Sequence, residues 1–293
     1  MTLRVCLLGF GEVGQTLVAN LRSRVDELKA WDLKFANRAS TPSLAAGKLE
    51  ILAAADVRSA VVDADVVISA VTAAQIGEAA SSVARHLKPE AYYFDLNSTS
   101  PAAKRVAAAI VESAGGRFVE AAIMSPIVPG GTASPMLLGG LHAAGFLPLA
   151  MRLGFTGAQL FSDKLGAASA AKMCRSVVVK GLEALMLESL LTARNFGVEQ
   201  AVLESLQATF PANTWRSQGR YMISRALIHG RRRAEEMREA ARTVAEAGIA
   251  PRMSGACAEW QEWAADHSAA VDDGLDQMLD TLLAAQSSGA VTC

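Results

Sequence analysis

The sequence predicts an α/β fold, a doubly wound and mostly parallel sheet followed by an all-α C-terminal domain. Residues 4 to about 160 alternate short apolar runs with Ala-rich amphipathic ones, the pattern of βαβ units. A glycine-rich turn joins the first apolar run to the first amphipathic one, and after Ser162 nearly everything is helix-periodic. At roughly 100–200 residues per domain, 293 residues make about two. They are placed at 1–162 and 163–293.

Arg4–Leu8 reads as a strand, Val13–Leu21 as a helix and Leu33–Ala36 as the second strand. Ala64–Val71 is a buried strand with a helical run behind it to His86. Tyr92–Leu96 and Arg117–Ala122 are strands on either side of the helix Pro101–Ala114. The stretch Ala121–Met151 has no Asp, Glu, Lys or Arg, yet its four prolines and five glycines rule out an ordinary membrane helix. It reads as buried strands and loops around a ligand site. Leu165–Asn195 is one long apolar-periodic stretch, and breaks in the later helices fall at Pro211, Gly230, Gly248–Pro251 and Gly255. The tail from Gln286 is expected to be mobile.

Composition removes several function classes. With 28 basic and 29 acidic residues the net charge is -1, without the basic excess of a nucleic-acid binder. The four cysteines have no metal-ligand or disulfide-scaffold spacing, so no metal site is expected. The N-terminal MTLRVCLLGFG has no spacer or cleavage site and reads as a strand rather than a signal. A cytoplasmic enzyme with no membrane partner is the expectation.

Gly9-Phe10-Gly11-Glu12-Val13-Gly14 fits GxGxxG between an apolar strand and an amphipathic helix. Gly9 suits the tight turn, Gly11 the approach of a pyrophosphate and Gly14 close helix–strand packing. The helix N-terminus then offers N–H groups to the phosphates. The first domain is therefore a Rossmann-type dinucleotide-binding unit. Its second strand, Leu33–Ala36, ends in Asn37-Arg38-Ala39-Ser40 without an acid. Arg38 can pair with a ribose 2′-phosphate and Asn37 can donate to it, which favours NADP(H). The alternative is a solvated loop arginine.

Longer segments resemble the β-hydroxyacid dehydrogenase family, which includes 6-phosphogluconate and 3-hydroxyisobutyrate dehydrogenases. The likeness is greatest to a 6-phosphogluconate dehydrogenase-like branch with a distinct C-terminal helical domain. Leu8–Leu21 resembles the family's opening motif, and Asn37-Arg38 its Asn-Arg-Thr/Ser. Ala70-Val71-Thr72 stands at the loop that covers the cofactor. Asp95–Pro101, with Asn97, resembles D-x-S-T-x-x-P near the nicotinamide. Gly166–Lys172 resembles GxGxxxK, the signature that carries the catalytic lysine. Ala168 replaces that signature's second glycine, Arg175-Ser176 replaces an Asn-Asn pair, and Glu120–Pro126 replaces Asp-Ala-Pro-Val-Ser-Gly-Gly. Glu235-Glu236 stands for a Lys-Asp pair. The departures fall on the substrate side.

The resemblance implies that Lys172 is the general acid/base of an NADP(H)-dependent oxidation of a 3-hydroxy acid or related polar alcohol. A lysine needs its pKa lowered for that work, by burial or by Arg175 one turn along. A snorkelling surface lysine is the other use of such a residue. Ser125, Arg175 and His229 are candidates for orienting the substrate anion. Ser125 can equally cap a turn, and the 229–233 cluster can equally be a basic stripe paired with Glu235, Glu236 and Glu239. Lys164 and Lys180 read as surface charge. Trp260 and Trp263 read as core or interface. Decarboxylation of a β-keto product is open, and the family implies a homodimer through the helical domain. Imine reduction and a non-catalytic NADPH sensor are the rival readings.

Overall fold

The computed structural model describes residues 2–212 and 214–289, which divide by packing between Lys172 and Met173 into two compact units. The sequence places that division at 162/163; packing puts the next ten residues with the first unit.

In the first unit the order is β1 (Arg4–Leu8), α1 (Glu12–Leu21), β2 (Glu27–Trp31), α2 (Thr41–Lys48), β3 (Leu52–Ala53), α3 (Val57–Val61) and β4 (Val66–Ser69). Then follow α4 (Ile76–Ala84), β5 (Tyr92–Asp95), α5 (Pro101–Ser113), β6 (Arg117–Ile123), β7 (Met136–Gly139), α6 (Ala143–Arg152) and β8 (Ala158–Ser162). One sheet runs β3-β2-β1-β4-β5-β6-β7-β8. It is parallel except where β7 runs antiparallel to β6. Alternation along the strands builds two cores: Val5, Leu7, Val66, Ile68 and Phe94 face one side. Cys6, Leu8, Val67 and Tyr93 face the other. A parallel sheet buried on both faces needs near-continuous apolar strands, which β1 and β4 supply. Ser100 caps α5, accepting from Ala103 N ahead of Pro101.

The second strand departs from the sequence reading. Leu33–Ala36 is a 3₁₀ turn, and the strand is Glu27–Trp31, paired with β1. Charged Glu27 and Lys29 hide it; they pair with each other at 2.7 Å. Asp32 ends it by accepting from Lys34 N, which turns the chain. The charge-free stretch also differs: its last part is the helix α6, formed despite Pro148 because alanines and leucines surround that one missing donor.

The second unit contains the body of α7 (Ala167–Asn195), then α8 (Glu199–Thr209), α9 (Trp215–Glu246), α10 (Arg252–Asp266) and α11 (Leu275–Gly289). Its core gathers Leu187, Leu190, Ile223, Leu227, Met278 and Leu282. Pro211 and Gly248–Pro251 do separate helices. Gly230 and Gly255 do not, lying inside α9 and α10. A Cβ at Gly230 would sit 2.3 Å from the Gln261 carbonyl oxygen, so this glycine lets α9 and α10 close on each other. The tail read as mobile begins inside α11, and 290–293 lie outside the described residues. No described helix is long and apolar enough to cross a membrane.

Candidate active site

The turn after β1 has three glycines with three different reasons. Gly9 has φ +92°, and a Cβ there would lie 2.5 Å from the Ala70 carbonyl oxygen. At Gly14 a Cβ would lie 2.4 Å from the Gly9 carbonyl oxygen, so α1 packs directly on the turn. Around Gly11 the same test meets nothing within 4 Å. That open space stands at the N-terminus of α1, whose cap contributes no side-chain hydrogen bond. A phosphate needs such a cradle of N–H groups with room to approach. Glu12 is exposed and Val13 half-buried at this end of the helix. Phe10 does not offer its N–H to a ligand: it donates to Asp32 Oδ2 at 2.8 Å, and its ring is buried against Phe35.

Beyond β2 opens a cleft of about 770 Å³ lined by Trp31, Asp32, Phe35, Arg38 and Ser43 among others. Asp32 sits at the strand end with Oδ1 on Lys34 N at 2.8 Å. An acid is therefore present where the sequence reading finds none. Its signal is its spacing, eighteen residues past Gly14, masked by the misplaced strand. Arg38 is exposed on the same cleft. Asn37 is exposed; its Oδ1 accepts from Ala39 N at 2.9 Å and holds the turn, which leaves Nδ2 as its donor.

The carboxyl ends of β4 and β5 complete the site at the sheet's switch point, where β1 and β4 are neighbours. Ala70 N donates to Leu8 O at 2.8 Å, and Val71 packs over Gly9. Thr72 is exposed and starts a short 3₁₀ turn. Asn97 is buried, with Nδ2 donating to Ser69 Oγ at 2.9 Å and to Asp95 Oδ1. Asp95 is paired at 2.6 Å with the buried Lys104. Burial pushes the Asp95 carboxyl above its ordinary value, while Lys104 and Asn97 pull the other way.

Lys172, half-buried on the second turn of α7, donates from Nζ to Ser98 Oγ. The helix that carries it is held at its start by Glu120, fully buried on β6. Glu120 Oε1 accepts from Gly166 N at 2.8 Å and Ala168 N at 3.1 Å. Gly139, opposite Glu120 in the β6–β7 ladder, makes room: a Cβ there would lie 2.4 Å from Oε1. The sequence reading misses Asp32 and Lys104, and it names Asp95 and Glu120 only as members of motif segments, with no role of their own.

Ser125 Oγ donates to Pro126 O at 3.1 Å, the turn-holding use. Arg175 is exposed, and His229 is half-buried on α9 within the helical unit. Two of the neighbouring cations pair with acids of other helices. Arg231 pairs with Glu262 and Asp266, and Arg233 with Glu183 at 2.5 Å. Lys180 is not surface charge; it is buried on Ser176 at 3.2 Å and on Glu236. Burial pushes the Glu183 carboxyl up. Trp260 and Trp263 pack edge to face with each other and border the helical core, with Trp260 Nε1 on Glu188 at 2.7 Å. Among the described residues no cluster of His, Cys, Asp and Glu has metal-binding geometry.

Comparison with known proteins agrees with this geometry. The NAD binding domain of 6-phosphogluconate dehydrogenase matches residues 4–140, and a domain of unknown function, DUF1932, matches residues 193–264. A conserved hypothetical protein from Sinorhizobium meliloti 1021 is 35% identical, covers 97% of both chains and superposes with a TM-score of 0.75. A conserved protein of unknown function, described as structurally similar to 3-hydroxyacid dehydrogenases, is 34% identical. It covers 90% of this chain and 97% of its own, with a TM-score of 0.70. The 3-hydroxyisobutyrate dehydrogenase of Mycobacterium tuberculosis, solved with L-serine, shares the fold at 20% identity. That match has a TM-score of 0.73 and covers 96% of this chain and 99% of its own.

Proposed function

The chain belongs to the β-hydroxyacid dehydrogenase-like family, and on that premise we propose that it oxidises a 3-hydroxy acid or related polar alcohol, or reduces the keto form, with a nicotinamide dinucleotide. The observation that carries the proposal is Lys172 Nζ hydrogen-bonded to Ser98 Oγ at the carboxyl end of β5. The residues present fit the dinucleotide: Gly11 leaves the phosphate space open, α1 aims its N-terminus there, and the cleft beside Asp32 receives a ribose.

The bound nicotinamide supplies the acceptor for the hydride that leaves the carbinol carbon. Lys172 takes the hydroxyl proton on Nζ as the carbonyl forms, and Ser98 fixes the direction from which Nζ approaches. Small residues from Ala167 to Ala171 keep this end of α7 free of bulk. If the product is a β-keto acid that loses carbon dioxide, Lys172 returns the proton to the enolate. Ser125, Arg175 and His229 remain the candidates for orienting the acid. Free thiols at Cys6, Cys174 and Cys257 suit a cytoplasmic setting.

The cofactor preference rests on two opposed residues. Arg38 supports NADP(H), the preference read from the sequence. Asp32 opposes it, because a carboxylate held by two backbone N–H groups repels a 2′-phosphate and suits a 2′-hydroxyl. We take NAD(H) as preferred on the strength of Asp32.

Absorbance at the nicotinamide band, with NAD and NADP against a panel of 3-hydroxy acids, tests the reaction. Lys172→Ala is expected to lower kcat by about 10²–10⁴-fold with dinucleotide affinity unchanged. Wild-type binding without turnover on any acid would favour a sensor. Imine reduction that survives Lys172→Ala would favour the imine reductase reading.

A further inference from the structure

Beneath Asn97 lies a buried ion pair for which the proposed reaction has no use. Lys104 Nζ donates to Asp95 Oδ2 at 2.6 Å and to Asp95 O at 3.3 Å, and the two side chains are 1% and 0% exposed. Desolvating two charges offsets most of their attraction, so such a pair is weak as a source of stability. An apolar pair of the same volume would serve the core as well.

The consequence of the pair appears one step further up. As the ionised partner of Lys104, Asp95 is acceptor-only, and its Oδ1 receives an N–H of Asn97. The same Nδ2 donates to Ser69 Oγ. The amide cannot flip, because flipping would set Asn97 Oδ1 against a carboxylate oxygen. Asn97 Oδ1 is thereby fixed on the opposite side, buried and with no protein donor. A buried carbonyl oxygen left without a donor is costly, and a ligand N–H reaching it would recover that cost.

The position identifies the ligand. In the strand order β3-β2-β1-β4-β5, the cleft beside Asp32 lies on the β2 side of the switch point and Asn97 on the β5 side. A dinucleotide laid across the switch point puts its adenosine half on the first side and its nicotinamide half on the second. We propose that Asp95 and Lys104 are a positioning pair that holds Asn97 Oδ1 as the acceptor for the carboxamide N–H of the nicotinamide. This rests on the dinucleotide reading above and assigns Lys104, which touches no ligand, a role in the recognition of one half of the cofactor.

The test compares three ligands on the full chain: NAD, its 3-acetylpyridine analogue, in which a methyl replaces the carboxamide NH₂, and ADP-ribose, which lacks the ring. Wild type is expected to bind NAD about tenfold tighter than the acetylpyridine analogue, the value of one hydrogen bond to a buried acceptor. The double variant Asp95→Asn with Lys104→Met removes both charges in similar volume. It is expected to melt near the wild-type temperature and bind ADP-ribose as wild type, with the NAD-over-analogue preference lost. A merely structural pair would lower melting temperature and affinity for all three ligands together. That result, or a double variant that keeps the tenfold preference, overturns the proposal. If the double variant does not fold, Asn97→Ala must show the same selective loss, and retained preference there overturns it too. Wild-type protein that binds neither NAD nor ADP-ribose overturns the dinucleotide reading itself, a distinct failure.

Discussion

Asp32 and Arg38 are the two residues on which the proposed cofactor choice rests, through their opposite charges. Asp32→Ser removes the carboxylate that a 2′-phosphate would meet, while Ser can donate to it. The expected outcome is at least a tenfold gain of NADPH affinity relative to NADH, measured by nicotinamide fluorescence, with about 1.4 kcal/mol per tenfold change. A wild type that prefers NADPH, and loses that preference in Arg38→Ser, would assign the choice to Arg38 instead. Cys6 acts through ionisation. Burial in the sheet pushes its thiol from 9.0 up to about 12. Between those values the unfolded chain loses the proton and the folded chain keeps it, so Cys6 lowers stability as pH rises above 9. The slope from this group is at most about 1.4 kcal/mol per pH unit. Cys6→Ala is therefore expected to cost stability at pH 7 and progressively less toward pH 11, as followed by denaturant unfolding. A constant difference across that range would contradict the assignment.

At the scale of elements, α7 depends on a residue outside it. The first N–H groups of a helix have no intrahelical partner. Two N–H groups at the start of α7, those of Gly166 and Ala168, are taken by the Glu120 carboxylate from β6. Glu120→Ala leaves both donors buried without a partner and is expected to cost about 1–3 kcal/mol. Glu120→Gln keeps one acceptor oxygen and is expected to cost less. Lys172 lies one turn further along, so kcat should fall in the same order as the denaturant midpoint. A Glu120→Ala variant with wild-type midpoint and kcat would show that the cap positions nothing.

For the molecule as a whole, the helical unit leaves apolar side chains in solvent. Val178, Leu182 and Leu185 are exposed on α7 at spacings that put them on one helix face, and Tyr221 and Ile228 are exposed on α9. A monomer gains nothing from such a stripe, whereas a self-association surface does. The homodimer expected from family resemblance is thus a proposal with a definite test. Sedimentation velocity should find a dimer at micromolar concentration. Leu185→Asp should weaken it at least tenfold, since a charge would be desolvated in the interface. A monomeric wild type would reject the proposal.

Local chemistry alone determined the fold class, the glycine turn and the capped helices. Apolar strands of β1 and β4, three glycines at fixed spacing and Ser100-Pro101 each specify their own conformation without distant partners. The family signature around Lys172 is equally local. Tertiary structure decided what depends on neighbours. β2 carries Glu27 and Lys29, so only pairing with β1 reveals it as a strand, and with it Asp32 as the strand-end acid. Gly230 looks like a helix break until α10 closes on it. Lys104, Glu120 and Lys180 look like surface charges because hydrophobic periodicity marks apolar faces and is silent about buried polar groups. Their partners, Asp95, the start of α7 and Glu236, lie elsewhere in the chain. Burial of a charge is favourable only where folding delivers its counter-charge or donor. That delivery is a property of three-dimensional contact.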